Sequence, residues 1–183
     1  MTKLISAPVD NLKLAMTHAI RRGLMSGQQY GYVAKRLLAE EQCTLLVFGL
    51  GHDAPLWFRS SRGRVAFVED DPAFLTLAPA TARVYLQKYP SRVGKWVAIP
   101  PPPRMIDRPW DFVFVDGPRG FHPQCPGRQI PIAWAKRLAT KQVFVHDYER
   151  PWERELCDHL LGDPVERIQS VHPRRGELAV FDV

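Results

Sequence analysis

The sequence predicts one α/β domain: a mostly parallel sheet with helices on both faces and an antiparallel hairpin at its C-terminal end. Three observations predict it. Runs of consecutive apolar residues, such as Leu45-Leu46-Val47-Phe48 and Phe112-Val113-Phe114-Val115, alternate with stretches of helical periodicity. The first such run ends in Gly49-Leu50-Gly51. The last two strand candidates are separated only by His172-Pro173-Arg174-Arg175-Gly176, a short polar break with a glycine that reads as a hairpin.

The elements follow in chain order. Residues 9–24 read as a helix, because Leu12, Ala15, Met16, Ala19 and Ile20 fall at helical spacing. Gly27 and Gly31 are expected to break that pattern, and residues 32–41 to form a second helix. Residues 44–48 are a buried strand, 53–60 a short helix and 65–68 a second strand ending in Glu69-Asp70-Asp71. Residues 72–77 suit a helix, since proline is welcome in a first turn. Residues 83–86 and 96–99 compete for the third strand. Pro100 to Pro103 are four successive prolines, hence an extended loop. Residues 112–115 form the fourth strand, apolar at every position as expected when both faces are covered. Ile130, Ala133, Trp134 and Leu138 mark a helix, residues 142–145 the fifth strand, and 151–161 another helix. Strands over about 165–171 and 177–181 complete the chain. A terminal hairpin is foreign to a dinucleotide-binding domain and characteristic of the Rossmann-like class I methyltransferase sheet. Residues 1–41 are read as a helical N-terminal segment and 42–183 as the Rossmann-like core.

Composition narrows the classes. With 183 residues, the chain holds one sizeable core. No apolar run approaches the ~18 residues of a membrane span, and the N-terminus lacks a signal-peptide stretch, so a cytoplasmic protein without a membrane partner is expected. The three cysteines are too sparse for a disulfide framework, and the pairs His122/Cys125 and Cys157/His159 match no common zinc spacing. The net charge of +6 is spread along the chain rather than gathered in a stripe with interleaved aromatics. A nucleic-acid partner is therefore not expected, whereas an anionic small molecule or a uronic-acid polymer suits the charge.

Ligands of open α/β sheets bind beyond the carboxyl ends of the strands, which nominates four loops. In Gly49-Leu50-Gly51-His52-Asp53, the glycines allow a tight turn and close approach of backbone to ligand. Asp53 either accepts from a ligand ammonium or caps its own helix. The third glycine of the dinucleotide fingerprint is missing. Glu69 stands 18 residues after Gly51, where an acid accepts from ribose hydroxyls, and Asp70 or Asp71 can cap the helix that starts at Pro72. Asp116 ends a wholly apolar strand, where a donor and an acceptor would meet. The loop that follows, through Arg119 to Arg128, is rich in proline and glycine. Its two arginines are either carboxylate-binding groups or solvated loop charges. His146 and Asp147 suit a base and its orienter, or a packed histidine. Asp116 and Asp147, on adjacent strands, are also placed to share one divalent cation.

Read together, Leu46 to Asp53, Val68-Glu69-Asp70-Asp71-Pro72, Trp110-Asp111, Asp116-Gly117-Pro118-Arg119-Gly120, Pro123, Pro126-Gly127-Arg128 and Val145-His146-Asp147 resemble a known family. It is the polysaccharide-biosynthesis domain family of the glucuronoxylan 4-O-methyltransferases, and the similarity runs from about Leu38 to the C-terminus. The resemblance implies a class I fold, S-adenosylmethionine as cofactor and O-methylation of a sugar or uronic-acid-containing acceptor. Carried over by position, Gly49, Gly51, His52, Asp53, Glu69, Asp70 and Asp116 would hold the cofactor. Asp116, His146 and Asp147 would be catalytic, and Arg119 and Arg128 would bind the acceptor. A divalent cation, if used, would sit on Asp116 and Asp147. Relative to the plant enzymes, the chain is expected to lack their membrane anchor and length, and it carries Gly117 where many relatives have alanine. The readings that compete are action on a small metabolite (by methylation or by transfer or cyclisation of the cofactor's aminobutyrate arm), a non-catalytic role in glycan assembly, and RNA methylation.

Overall fold

A computed structural model describes residues 7–183. The chain order is α1 (Ala7–Arg22), α2 (Gly27–Leu38), β1 (Leu45–Phe48), α3 (Ala54–Ser60), β2 (Val65–Glu69), a 3-10 segment (Pro72–Leu77) and β3 (Arg83–Leu86). It continues with β4 (Trp110–Val115), α4 (Gln129–Leu138), β5 (Ala139–His146), α5 (Pro151–Leu160), β6 (Glu166–Gln169) and β7 (Glu177–Asp182). The seven strands lie in the order β3-β2-β1-β4-β5-β7-β6. β1 to β5 are parallel, and β7 inserts antiparallel between β5 and β6. The expected mixed sheet with its C-terminal hairpin is therefore present.

Strand alternation explains why the central strands are apolar throughout. Leu45, Val47, Phe112, Phe114 and Phe144 point into one core, with Ala19 of α1, Val33 and Leu37 of α2 and Trp57 of α3. Leu46, Phe48, Val113, Val115 and Val145 point into the other, with Ile130 and Trp134 of α4 and Leu156 of α5. Trp57 meets Phe114 edge-on at 5.2 Å between ring centroids. The two N-terminal helices thus cover one face of the sheet and share its core through Ala15, Ala19, Tyr30, Val33 and Leu37.

One local expectation is corrected and one open choice is resolved. Gly27 and Gly31 do not interrupt helix formation: α2 starts at Gly27 and runs through Gly31. The reason is a capping box in which the Ser26 hydroxyl accepts from the Gln29 amide (3.3 Å) and the Gln29 side chain accepts from the Ser26 amide (2.8 Å). The third strand is residues 83–86, with Arg83 opposite Ala66 and Leu86 opposite Glu69. Residues 96–99 instead run along α4, where Trp134 donates to the Ile99 carbonyl at 2.7 Å and Gln129 to the Lys95 carbonyl at 2.7 Å. Residues 72–77 form a 3-10 helix, capped by Asp71 through the Ala73 amide at 3.0 Å.

Candidate active site

The carboxyl ends of β1, β2 and β4 open on one cleft of about 360 Å³. Gly49, Gly51, His52 and Asp53 form its floor, Glu69 and Asp70 one wall, and Asp116 and Arg119 another. All eight of these residues were expected at the site from the sequence. The β1 and β4 loops touch here. Gly49 has φ +108°, and a Cβ on it would lie 3.1 Å from the Asp116 backbone. A Cβ on Gly117 would lie 2.8 Å from the Gly49 Cα.

Each acidic side chain has a distinct environment. The Glu69 carboxylate is tied to backbone, accepting from the amides of Leu50 (2.8 Å), Asp70 (2.9 Å) and Asp71 (2.8 Å). It therefore shapes the glycine loop as well as facing the cleft. Burial holds its pKa up, against those three bonds. Asp53 begins α3 but its side chain makes no capping bond, which removes the cap alternative. It is buried in the cleft floor, and burial, then the nearby charge of Asp116, pushes its pKa up to about 7. An ammonium group in the cleft would relieve both effects. The buried carboxylate of Asp53 and the close backbone approach at Gly49 together fit the amino-acid end of S-adenosylmethionine.

Behind Asp116 lies a buried ionic network. His146 Nδ1 is 2.8 Å from Asp116 Oδ1, and its Nε2 is 2.9 Å from the Arg175 carbonyl. A carbonyl only accepts, so Nε2 carries a hydrogen. Nδ1 then donates to Asp116 when the ring is an imidazolium. Burial would push the histidine to release that proton. The charge and hydrogen bond of Asp116, with the charge of Asp147, outweigh burial and leave the pKa above the ordinary histidine value.

Arg128 corrects an expectation. It does not reach into the cleft to grip an acceptor; its side chain is only 4% exposed. Arg128 Nη2 lies 2.5 Å from Asp147 and 3.3 Å from Asp116, and Nη1 donates to the His146 carbonyl. Arg150 adds a second guanidinium 2.9 Å from Asp147. A buried charge must be paired: the two carboxylates take Arg128 Nη2, and the carbonyls of His146 and Pro118 take Nη1 and Nε. Asp147 for its part is held below the usual carboxylate range: burial works against this, and Arg128, His146 and Arg150 outweigh it.

The same geometry answers the metal expectation. Ligand atoms of Asp116, His146 and Asp147 do converge within 4.8 Å. The position between the two carboxylates, however, is taken by the Arg128 guanidinium, and His146 Nδ1 is spent on Asp116. These residues do not fit a divalent cation.

Sequence reasoning missed part of the cleft. Arg22, Gly23 and Leu24, at the α1–α2 corner, line it together with Phe74 and Phe121. Phe121 is 70% exposed and Leu24 67%. Phe121 directly follows the Asp116–Gly120 motif, and its place there was the available signal; nothing local marks the corner.

The family model described as IRX15/IRX15L/GXM matches residues 97–171. Glucuronoxylan 4-O-methyltransferase 2 of Arabidopsis thaliana is 30% identical over 203 residues, spanning 87% of this chain and 70% of that protein. The chain belongs to the IRX15/IRX15L/GXM family. Within the family, glucuronoxylan 4-O-methyltransferase 3 of the same plant is 29% identical, with 87% of this chain and 67% of that protein covered. Arabinogalactan O-methyltransferase 2, also from Arabidopsis thaliana, is 28% identical, with 77% and 60% covered. The residues matched by the IRX15/IRX15L/GXM model include Asp116 to Arg128 and His146-Asp147, while the glycine loop and Glu69 precede them. The fold is shared with O-methyltransferase TomG of Streptomyces achromogenes, solved with S-adenosylmethionine, at a TM-score of 0.59, 15% identity, and 94% and 89% coverage. Among the described residues, no helix is long and apolar enough to cross a membrane.

Proposed function

We propose that this protein is an S-adenosylmethionine-dependent O-methyltransferase acting on a saccharide acceptor that bears a uronic-acid carboxylate. The observation that carries the reading is Asp116. This carboxylate opens into the cleft at 17% exposure, beside the glycine loop, and is held from behind by His146 and Arg128. The family relatives, named for glucuronoxylan and arabinogalactan, support the saccharide.

When bound, S-adenosylmethionine supplies a methyl group already activated on a sulfonium, so positioning accounts for most of the acceleration. Gly49 and Gly51 would let the backbone approach the cofactor, Asp53 would hold its ammonium, and Glu69 with Asp70 would hold its ribose. Asp116 accepts the proton of the attacking hydroxyl. His146 is 1% exposed with both ring nitrogens engaged, so it orients Asp116 rather than meeting the acceptor. Asp147 acts one step further back, by holding Arg128.

Arg119, at the mouth of the cleft, is the carboxylate-binding group. Its side chain is 60% exposed and lies 3.3 Å from Asp71. Exposed ion pairs are worth only ~0–1 kcal/mol, so an acceptor carboxylate can displace Asp71 from it.

The test is calorimetry with S-adenosylmethionine, then mass spectrometry of glucuronic-acid oligosaccharides, neutral oligosaccharides and small amines incubated with protein and cofactor. A gain of one methyl mass on the acidic saccharide, lost in Asp116→Asn with cofactor binding retained, supports the reading. Cofactor binding with methylation only of amines, or with transfer of the aminobutyrate arm, overturns the acceptor. Absence of cofactor binding overturns the enzyme.

A further inference from the structure

We propose that Arg175, on the turn between β6 and β7, is a positioning residue that sets the α1–α2 wall of the cleft and ties that wall to the Asp116–His146 pair. The inference rests on the methyltransferase reading only for its kinetic readout.

Arg175 works from both ends. Its backbone carbonyl accepts from His146 Nε2 at 2.9 Å. Its guanidinium donates to the Met25 carbonyl at 2.6 Å and the Ile20 carbonyl at 3.1 Å, some 150 residues away in sequence. Ile20 lies in the last turn of α1, where carbonyls have no intrahelical partner and the helix dipole favours a cation. Met25 immediately precedes Ser26, the cap of α2. One guanidinium thus closes the end of α1 onto the start of α2. Between these two points of attachment lie Arg22, Gly23 and Leu24, the segment that lines the cleft.

The corner has little slack. A Cβ on Gly23 would lie 1.9 Å from the Tyr30 hydroxyl, so the chain passes directly over that ring. The Met25 amide donates to the same hydroxyl at 3.4 Å. Gln29, fully buried, pins α2 to the hairpin by donating to the carbonyls of Ile168 (3.0 Å) and Gly176 (3.1 Å). Gly176 in turn sits against the site. It has φ +58°, and a Cβ there would lie 2.7 Å from Asp147 and 2.9 Å from His146 Nε2. Turn, corner and ionic network are therefore one packed unit, and the Arg175 fork spans directly from the network to the cleft wall. Lysine offers a point charge with no fork and satisfies the two carbonyls less well.

The experiment compares Arg175→Ala, Arg175→Lys and the neighbouring control Arg174→Ala in full-length protein. Hydrogen exchange at residues 20–26 and steady-state kinetics are the two readouts. In Arg175→Ala the backbone carbonyl to His146 remains, so the expected result is an acceptor KM raised about tenfold with kcat changed less than about threefold. Exchange at Gly23 and Met25 should quicken. Arg175→Lys should fall between wild type and alanine, and Arg174→Ala should match wild type. Unchanged exchange at the corner overturns the proposal, as does a loss confined to kcat, or an Arg174→Ala effect equal to that of Arg175→Ala. If Arg175→Ala does not fold, Arg175→Lys decides by the same two readouts. If wild type transfers no methyl group, the functional reading fails, and the exchange measurement still decides whether Arg175 holds the corner.

Discussion

His146 Nδ1 lies 2.8 Å from Asp116 Oδ1, with the opposite ring nitrogen held by the Arg175 carbonyl. The pair is coupled, and what happens to one proton is felt by both groups. Around it stand Arg128, Arg150 and Asp147, so the two-charge pair belongs to a five-residue ionic cluster. Its pH behaviour follows directly. The folded protein binds the His146 proton more tightly than the unfolded chain does. The interaction therefore stabilises fully below about pH 6.5, the unfolded histidine value, and fades as pH rises through the higher folded value. The thermal-melting deficit of His146→Gln relative to wild type should be large at acidic pH and shrink towards pH 9. A deficit that grows with pH contradicts an imidazolium at this position.

With Asp53 proposed to hold the cofactor ammonium, cofactor binding is expected to release a proton. The Asp53 pKa is pushed up to about 7 by burial and by Asp116, and an ammonium favours its ionised form. Calorimetry with S-adenosylmethionine near pH 6.5, in buffers of different ionisation enthalpy, should show release of a fraction of a proton. Affinity should rise between about pH 5.5 and 8, and Asp53→Asn should abolish the release. Buffer-independent heats in wild type would sink the assignment.

Arg128 should behave as a structural residue. Replacing one member of a buried ionic group leaves the others unpaired, at a cost of about 3–5 kcal/mol. Arg128→Leu is expected to lose stability on that scale in chemical denaturation. If it folds with near-wild-type stability and only its acceptor KM rises, the guanidinium is a substrate group after all.

Arg119 should behave in the opposite way. Arg119→Ala is expected to leave the melting temperature within a degree or two, about the worth of an exposed pair. It should also raise the KM for a carboxylated acceptor about tenfold, while a carboxyl-reduced acceptor is unaffected. Asp71→Asn frees Arg119 and should lower that KM. Equal effects on charged and neutral acceptors would remove Arg119 from carboxylate recognition.

The order of elements was legible in the residues themselves, because alternation, helical spacing, proline and glycine act over a few neighbours. Apolar Phe112 to Val115 read as a strand covered on both faces, and a cap was legible before Pro72, where the structure uses Asp71. Gly49, Glu69 and Asp116 were legible as site residues for a related reason: each ends a parallel strand, and parallel strand ends meet at one edge of the sheet. What stayed hidden depends on partners distant in sequence. Gly27 opens a helix because Ser26 and Gln29 form a capping box there, a signature that helical spacing alone does not weigh. Arg119 and Arg128 are the same residue type in one loop, yet one faces solvent and the other fills the gap between Asp116 and Asp147. That choice is made by packing, since a charge excluded from water must find its counter-charge. The sequence alone therefore determined the sheet, its helices and the strand ends that carry the site. Only the tertiary structure decided that a buried guanidinium occupies the place proposed for a cation, and that Arg175 joins the first helices to His146.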